Sequence, residues 1–255
     1  MIYISQLLET PRLIKILEEY AIGLEVISFS IGYILDDLET SIKHYQKAFL
    51  ELPLGTPLTF HGPFLDLLPG SCDAKVQALV KERFEAAYEA ALSFGVNQMI
   101  FHTGYMPNTY PDQYWLQNVI DFWRAFLKDK PDDFTVYIEN VLDLDWKLMQ
   151  RLIDEINHPS LKICLDVGHV HAYSPYPIEE WIEALGERIG YVHLHNNDKS
   201  RDAHGGLLEG TIPMEMILKL LKEKAPHAHW SLEVSDEQAL RASLDWLVHN
   251  KLMSK

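Results

Sequence analysis

Short β-rich runs alternate with amphipathic helical patterns along the whole chain, and this alternation restricts the fold more than any other feature. Parallel neighbours in a sheet need a long connection that is usually a helix, so strand, helix, strand in repetition implies parallel pairing. Eight runs read as strands: Ile2 to Ser5, Leu24 to Phe29, Pro57 to His61, Asn97 to His102, Phe134 to Glu139, Leu161 to Asp166, Gly190 to His195 and His229 to Val234. Helix boundaries are marked by Thr10-Pro11, by Asp73 with Gly95 behind it, and by Pro111, Pro177 and Pro213. The count predicts an α/β fold of the (β/α)8 (TIM) barrel type, with residues 1 to 255 as a single domain. The alternative, a doubly wound open sheet, usually has fewer strands and a glycine-rich turn after the first. Here Ser5-Gln6-Leu7 stands at that turn.

Composition narrows the partners. The chain is 47% hydrophobic and 23% charged, an ordinary globular balance, and 22 basic against 37 acidic residues leave a net charge of −15. That charge disfavours sequence-independent contact with phosphate backbones, so a nucleic-acid partner is disfavoured and small substrates are favoured. No run approaches a membrane span and the amino terminus lacks a signal-peptide pattern, which together predict a cytoplasmic protein with no membrane partner. Cys72 and Cys164 are too few for a disulfide framework. Cys164 shares the strand parity of Asp166 and reads as a core filler one layer deeper.

In a barrel the reacting groups come from the carboxyl ends of strands. From the third strand to the eighth these ends read His61-Gly62, His102-Thr103, Glu139-Asn140, Asp166 through His171, His193 through Asp198, and Glu233-Val234. Every one carries a side chain able to bind metal. Imidazole and carboxylate together suit zinc, manganese, cobalt or iron, and the absence of cysteine ligands argues for an open catalytic site over a closed structural zinc. Converging carboxylates would repel one another unless a divalent cation neutralised them.

These residues resemble the xylose-isomerase-like barrels, a group that includes sugar and sugar-phosphate isomerases and epimerases and also endonuclease IV, and the resemblance covers nearly the whole chain. It implies one divalent ion held by Glu139, Asp166, His193 and Glu233, on four successive strands. The endonuclease IV pattern enlarges that set with His61, His102, His169, Asp202 and His204, and would take up to three ions. The metal expected is manganese, zinc, cobalt or magnesium. The chain departs from endonuclease IV where that enzyme carries basic and polar DNA-contacting loops. The matching segments, Ser30 to Asp37 and Val141 to Asp145, are acidic or apolar here, which weighs against DNA processing.

The leading functional reading is an isomerase or epimerase of a small sugar, keto-sugar or sugar phosphate, with Glu139 and Glu233 as the catalytic acid and base. The runner-up is a polynuclear-metal phosphoester hydrolase. A lyase on a keto-polyol and a non-catalytic ligand-binding barrel are the other readings. For the four core residues the structural alternative is a buried salt-bridge network, although arginine partners are scarce near these strand ends. His61, His102 and His169 suit either metal or substrate hydroxyls, and Asp202 and His204 could instead cap a loop. His171 and His195 read as packing or as support for the ligands. Tyr105, Tyr110, Trp115 and Tyr173 suit either a sugar-facing wall or packing.

Overall fold

The computed structural model describes residues 1–109 and 111–254. Eight strands, β1 (Ile2–Ser5), β2 (Gly23–Val26), β3 (Leu58–His61), β4 (Gln98–His102), β5 (Thr135–Glu139), β6 (Leu161–Asp166), β7 (Ile189–Leu194) and β8 (His229–Leu232), pair in chain order as one closed parallel barrel. Closure is made by β1 on β8, with Ile4 opposite Leu232, and Trp230 N donates to Met1 O at 3.0 Å. Around it run α1 (Thr10–Glu19), α2 (Gly32–Asp36), α3 (Leu38–Phe49), α4 (Ala74–Ser93), α5 (Asp112–Leu127), α6 (Lys147–Ile156), α7 (Val167–Tyr173), α8 (Ile178–Leu185), α9 (Met214–Lys224) and α10 (Glu237–His249). No helix of the described residues is long and apolar enough to cross a membrane.

All eight expected strands are present. Two boundaries move with consequences for the site. β2 stops at Val26, because Ser28–Ser30 turns into a single 3-10 turn, so the end of that strand is Glu25-Val26 and not Phe29. β8 stops at Leu232, which puts Glu233 one residue beyond the ladder. Asp73 caps α4 as its sequence suggests, its carboxylate accepting from Lys75 N.

Most of the apolar core lies between the sheet and the helices, with Trp115, Trp123, Trp181 and Phe84 fully buried there. The barrel interior is different. Alternate residues point inward, and the lower inward positions hold a separate cluster of Tyr3, Ile100, Tyr137, Cys164 and Tyr191. Gln98 closes this floor, donating to Tyr3 Oη at 3.0 Å and accepting from Tyr137 Oη at 3.2 Å. Gly23 is required beside it, because a Cβ there would enter the Tyr3 ring. Two residues further along, the same parity brings Ser5, Glu25, His61, His102, Glu139, Asp166, His193 and Glu233 to the opposite, carboxyl end. An aromatic floor thus supports a polar mouth.

Candidate metal centre

The four residues of the expected core set come together. His193 Nδ1 lies 3.4 Å from Glu139 Oε1, 3.6 Å from Glu233 Oε1 and 3.8 Å from Asp166 Oδ2. Glu139 is the hub of a wider array. Its Oε2 is 3.1 Å from His61 Nε2 and 3.4 Å from His102 Nε2, and its Oε1 is 3.3 Å from His169 Nδ1. Asp166 caps α7 by accepting from His169 N at 2.7 Å, which turns His169 toward the mouth.

The segment after β7 folds over this cup. An antiparallel bridge joins Asn196 to Gly205, and the Asn196 side chain holds Leu207 O at 2.9 Å and Ile212 N at 3.0 Å. Asp202 and His204 are thereby carried to the rim, where Asp202 Oδ2 stands 2.9 Å from His204 Nε2 and 3.3 Å from His169 Nε2. The ligand-capable atoms fall into overlapping groups within 4.8 Å that include His61, His102 and Glu139; Glu139, Asp166 and His169; Glu25, His193 and Glu233; and His169, His195, Asp202 and His204.

A buried array of this kind must be neutralised, and basic side chains do not do it. Among the described residues, the ion pairs of Glu25, Glu139, Asp166, Asp202 and Glu233 are all with histidines. The scarcity of arginine near these strand ends is borne out among the described residues, and the buried ion-pair network is one of carboxylates with imidazoles. Burial favours a neutral Glu139 carboxyl, but the imidazoles of His193, His102 and His169 outweigh it and hold the group well below the usual carboxylate range. Glu233 goes the other way, raised by burial and by the neighbouring carboxylates Glu25, Glu139 and Asp166. Burial pushes His102 down to about 3, whereas Asp202 and Glu233 overcome burial at His204 and raise it to about 9.

Among the described residues, three buried polar atoms in this region have no hydrogen-bond partner: His193 Nδ1, His195 Nδ1 and Asp202 Oδ1. Buried polar atoms are normally satisfied, and a divalent cation is the partner that an imidazole lone pair and a carboxylate oxygen share. The donor set, nitrogen and oxygen in an open mouth, suits zinc, manganese or cobalt.

A cavity of about 270 Å³ opens above the cup, lined by Leu7, Ile27 and Phe64 on its apolar side and by His61, His102, Glu139, His169, Asp202, His204 and Glu233 on its polar side. Phe64 stacks on His102 with centroids 4.5 Å apart, supplying an aromatic wall that the sequence did not single out. Tyr105 and Trp115 pack together in the core, and Tyr105 Oη donates to Asp112 at 2.6 Å. Tyr173 is exposed, with its ring 6.1 Å from that of His169. Tyr110 lies outside the described residues.

Other positions are distinguished by their contacts. His171 turns away and bonds Thr211 Oγ1 at 2.8 Å. His195 is not packing: it is fully buried and its Nε2 is 3.1 Å from Asp166 Oδ1. A side chain at Gly168 would enter the His195 ring, so the turn after Asp166 admits only glycine without displacing that histidine. Cys164 is buried as expected, but its sulfur lies within 4.8 Å of ligand atoms on Glu139 and His193, directly under the cup. Glu25, fully buried and 3.1 Å from His193 Nε2, was missed altogether.

Asp143 joins the loops after β4 and β5, accepting from Thr103 Oγ1 at 2.8 Å and Val141 N at 3.0 Å, while its Oδ1 has no partner. Burial pushes this carboxyl up to about 6. The folded protein therefore keeps a proton that the unfolded chain releases, so the group's contribution is complete below about pH 4 and is lost as pH rises through 6. Asp143→Asn, neutral throughout, should remove a slope of about 3 kcal/mol over that interval. Melting curves of both proteins from pH 4 to 7 check this, and parallel curves would contradict it.

A family description, xylose isomerase-like TIM barrel, matches residues 19–249. Uncharacterized protein MJ1311 of Methanocaldococcus jannaschii is 28% identical over 178 residues, spanning 65% of this chain and 60% of that relative's length. Among solved structures, a D-tagatose 3-epimerase-like protein superposes with a TM-score of 0.80 at 23% identity, covering 98% of this chain and 99% of its own. The IOLI protein with a binding zinc atom superposes at 0.73 and 14% identity, covering 100% and 99%.

Proposed function

The chain belongs to the xylose isomerase-like TIM barrel family, and from that premise we propose that it is a divalent-metal-dependent isomerase or epimerase of a small sugar, keto-sugar or sugar phosphate. One observation carries the reading. Of the four residues in the core set, Glu139 and Glu233 reach the wall of the cavity, whereas Asp166 and His193 lie beneath it. Two carboxylates that touch both the cup and the substrate space are what proton transfer at a carbon next to a carbonyl needs. They come from β5 and from the end of β8, three strands apart around the barrel, and so approach a bound molecule from different sides.

Glu139, Asp166, His193 and Glu233 would hold the ion, with His61, His102, His169, Asp202 and His204 available for further metal or for substrate. When bound, the ion supplies Lewis-acid polarisation of the substrate's carbonyl and hydroxyl oxygens. One glutamate takes the proton from the carbon and the other returns a proton on the opposite face, which inverts the centre; return to the neighbouring carbon, with the hydroxyl proton passing between the two oxygens, isomerises it. His102 would hydrogen-bond a hydroxyl, whereas both ring nitrogens of His61 are already engaged, Nδ1 with Gly62 O and Nε2 with Glu139. Leu7, Ile27 and Phe64 exclude water from one side of the space, whose size is at the low end for small-molecule sites. The D-tagatose 3-epimerase-like neighbour supports this reading by its name, and the zinc-holding neighbour supports the metal.

A second reading rests on a separate observation. Glu139 belongs both to a group with His61 and His102 and to one with Asp166 and His169, and a third group follows at the rim, a layout able to hold more than one ion. Such an arrangement suits hydrolysis of a small phosphoester by paired metals. Metal content of untreated protein, with solvent deuterium incorporation next to the carbonyl across a panel of keto-sugars, separates the two. One ion per chain with incorporated deuterium supports the isomerase. Two or three ions with phosphate release and no incorporation would replace it with the hydrolase.

A further inference from the structure

Glu25 has no part in the chemistry above, yet it is fully buried at the centre of the barrel. Its Oε2 accepts from Tyr191 Oη at 2.9 Å, and its two oxygens lie 3.1 and 3.2 Å from His193 Nε2. The opposite edge of the same ring presents Nδ1, without a hydrogen-bond partner, to Glu139, Glu233 and Asp166. An ionised carboxylate only accepts hydrogen bonds, so the ring nitrogen facing it carries a proton. The other nitrogen of a neutral imidazole then keeps its lone pair. Rotating the ring by half a turn would place a carbon against Glu25 and leave a buried charge short of a donor, which is costly.

We propose that Glu25 is a positioning residue: it holds His193 with Nε2 protonated and the Nδ1 lone pair aimed into the carboxylate cup, and thereby sets the strength with which the cup holds a divalent ion. Tyr191, whose ring meets His193 edge-on with centroids 5.6 Å apart, fixes the carboxylate in turn. The chain Tyr191, Glu25, His193 thus connects the aromatic floor to the mouth. A carboxylate behind a metal-ligating imidazole orients the ring and raises its basicity, and loss of such a partner typically weakens binding by about 10- to 100-fold. The part of the inference that concerns the ion rests on the metal reading above, whereas the tautomer does not.

The experiment uses chelator-stripped full-length protein with 15N-labelled histidine. Long-range 1H–15N correlation spectra, followed upward in pH until the His193 ring is neutral, give its tautomer, and competition with a chromogenic chelator gives the affinity for Zn2+ alone. Wild type should show the Nε2–H tautomer. Glu25→Ala should lose that preference and weaken Zn2+ binding by about 10- to 100-fold. Glu25→Gln keeps an acceptor oxygen and should restore the tautomer and most of the affinity. Tyr191→Phe, which preserves the ring, should weaken binding less than Glu25→Ala and carries the test if the alanine variant does not fold. An Nε2–H signal unchanged in Glu25→Ala, or an unchanged affinity, overturns the proposal. Absence of Zn2+ binding by wild type would overturn the metal reading instead, and the tautomer would still decide the role of Glu25.

Discussion

Glu233→Gln should lower turnover of the cognate sugar by about 10²- to 10⁴-fold while leaving the protein folded and able to bind metal, the usual contribution of a positioned acid or base. The amide keeps an oxygen for the cup but cannot exchange a proton with a carbon centre. The surroundings make this the cleaner of the two glutamate tests. Glu233 accepts one long hydrogen bond from Ser5 Oγ, at 3.3 Å, and its nearest imidazoles are 3.6 and 3.7 Å away. Glu139 instead meets four imidazoles within 3.4 Å, so an amide there would turn N–H groups toward ring nitrogens and disturb the whole array. Glu139→Gln should therefore lose at least as much activity and some metal as well. Steady-state turnover with metal analysis of each variant checks both. A Glu233→Gln enzyme of near wild-type rate would exclude the proton-transfer role.

Divalent metal should stabilise the fold by a large margin. Among the described residues, five buried or partly buried carboxylates and six histidines converge at the mouth without a lysine or arginine partner, so a divalent ion would add positive charge where the carboxylates have only imidazoles beside them. A ligand that binds only the folded state at about 1,000 times its dissociation constant adds about 4 kcal/mol. For a chain of this length that corresponds to a rise of roughly 8 to 16 °C in Tm, at about 2 to 4 °C per kcal/mol. Because imidazoles must lose protons to bind metal, loading should also release protons, and the heat of binding should depend on the buffer's ionisation enthalpy. Thermal melts before and after EDTA treatment and zinc or manganese reloading measure the first effect. Identical melting temperatures would mean that these residues hold no ion.

The fold was legible in the sequence because its signal is local. Each strand announced itself within a few residues, and proline and aspartate marked the helix starts, so element count and order sufficed for a closed parallel barrel. The core site was legible for a related reason: Glu139, Asp166 and His193 sit at the carboxyl ends of buried strands and Glu233 just beyond one, where polar residues in apolar runs stand out. Glu25 could have been found in the same way, since it is the one charged residue between Ile22 and Phe29. Extending that strand to Phe29 puts its end three residues late and hides Glu25 inside the run, whereas the strand stops at Val26. The sequence leaves His195 open between packing and support for the ligands, because its parity with His193 says which way a side chain points and nothing about what it meets.

The sequence by itself determined the element order, the parity that sends one polar side chain per strand into the barrel, and the residue types available there. Only the tertiary structure decided which of those donors meet: that His193 touches three carboxylates with one nitrogen and Glu25 with the other, that Glu139 is shared among four imidazoles, and that Phe64, not Tyr105 or Trp115, walls the cavity. Strand periodicity acts over two residues and is set by local backbone geometry. Convergence across the mouth depends on tilt and register accumulated around eight paired strands, and on a segment folded back from β7, so no short stretch of the chain encodes it.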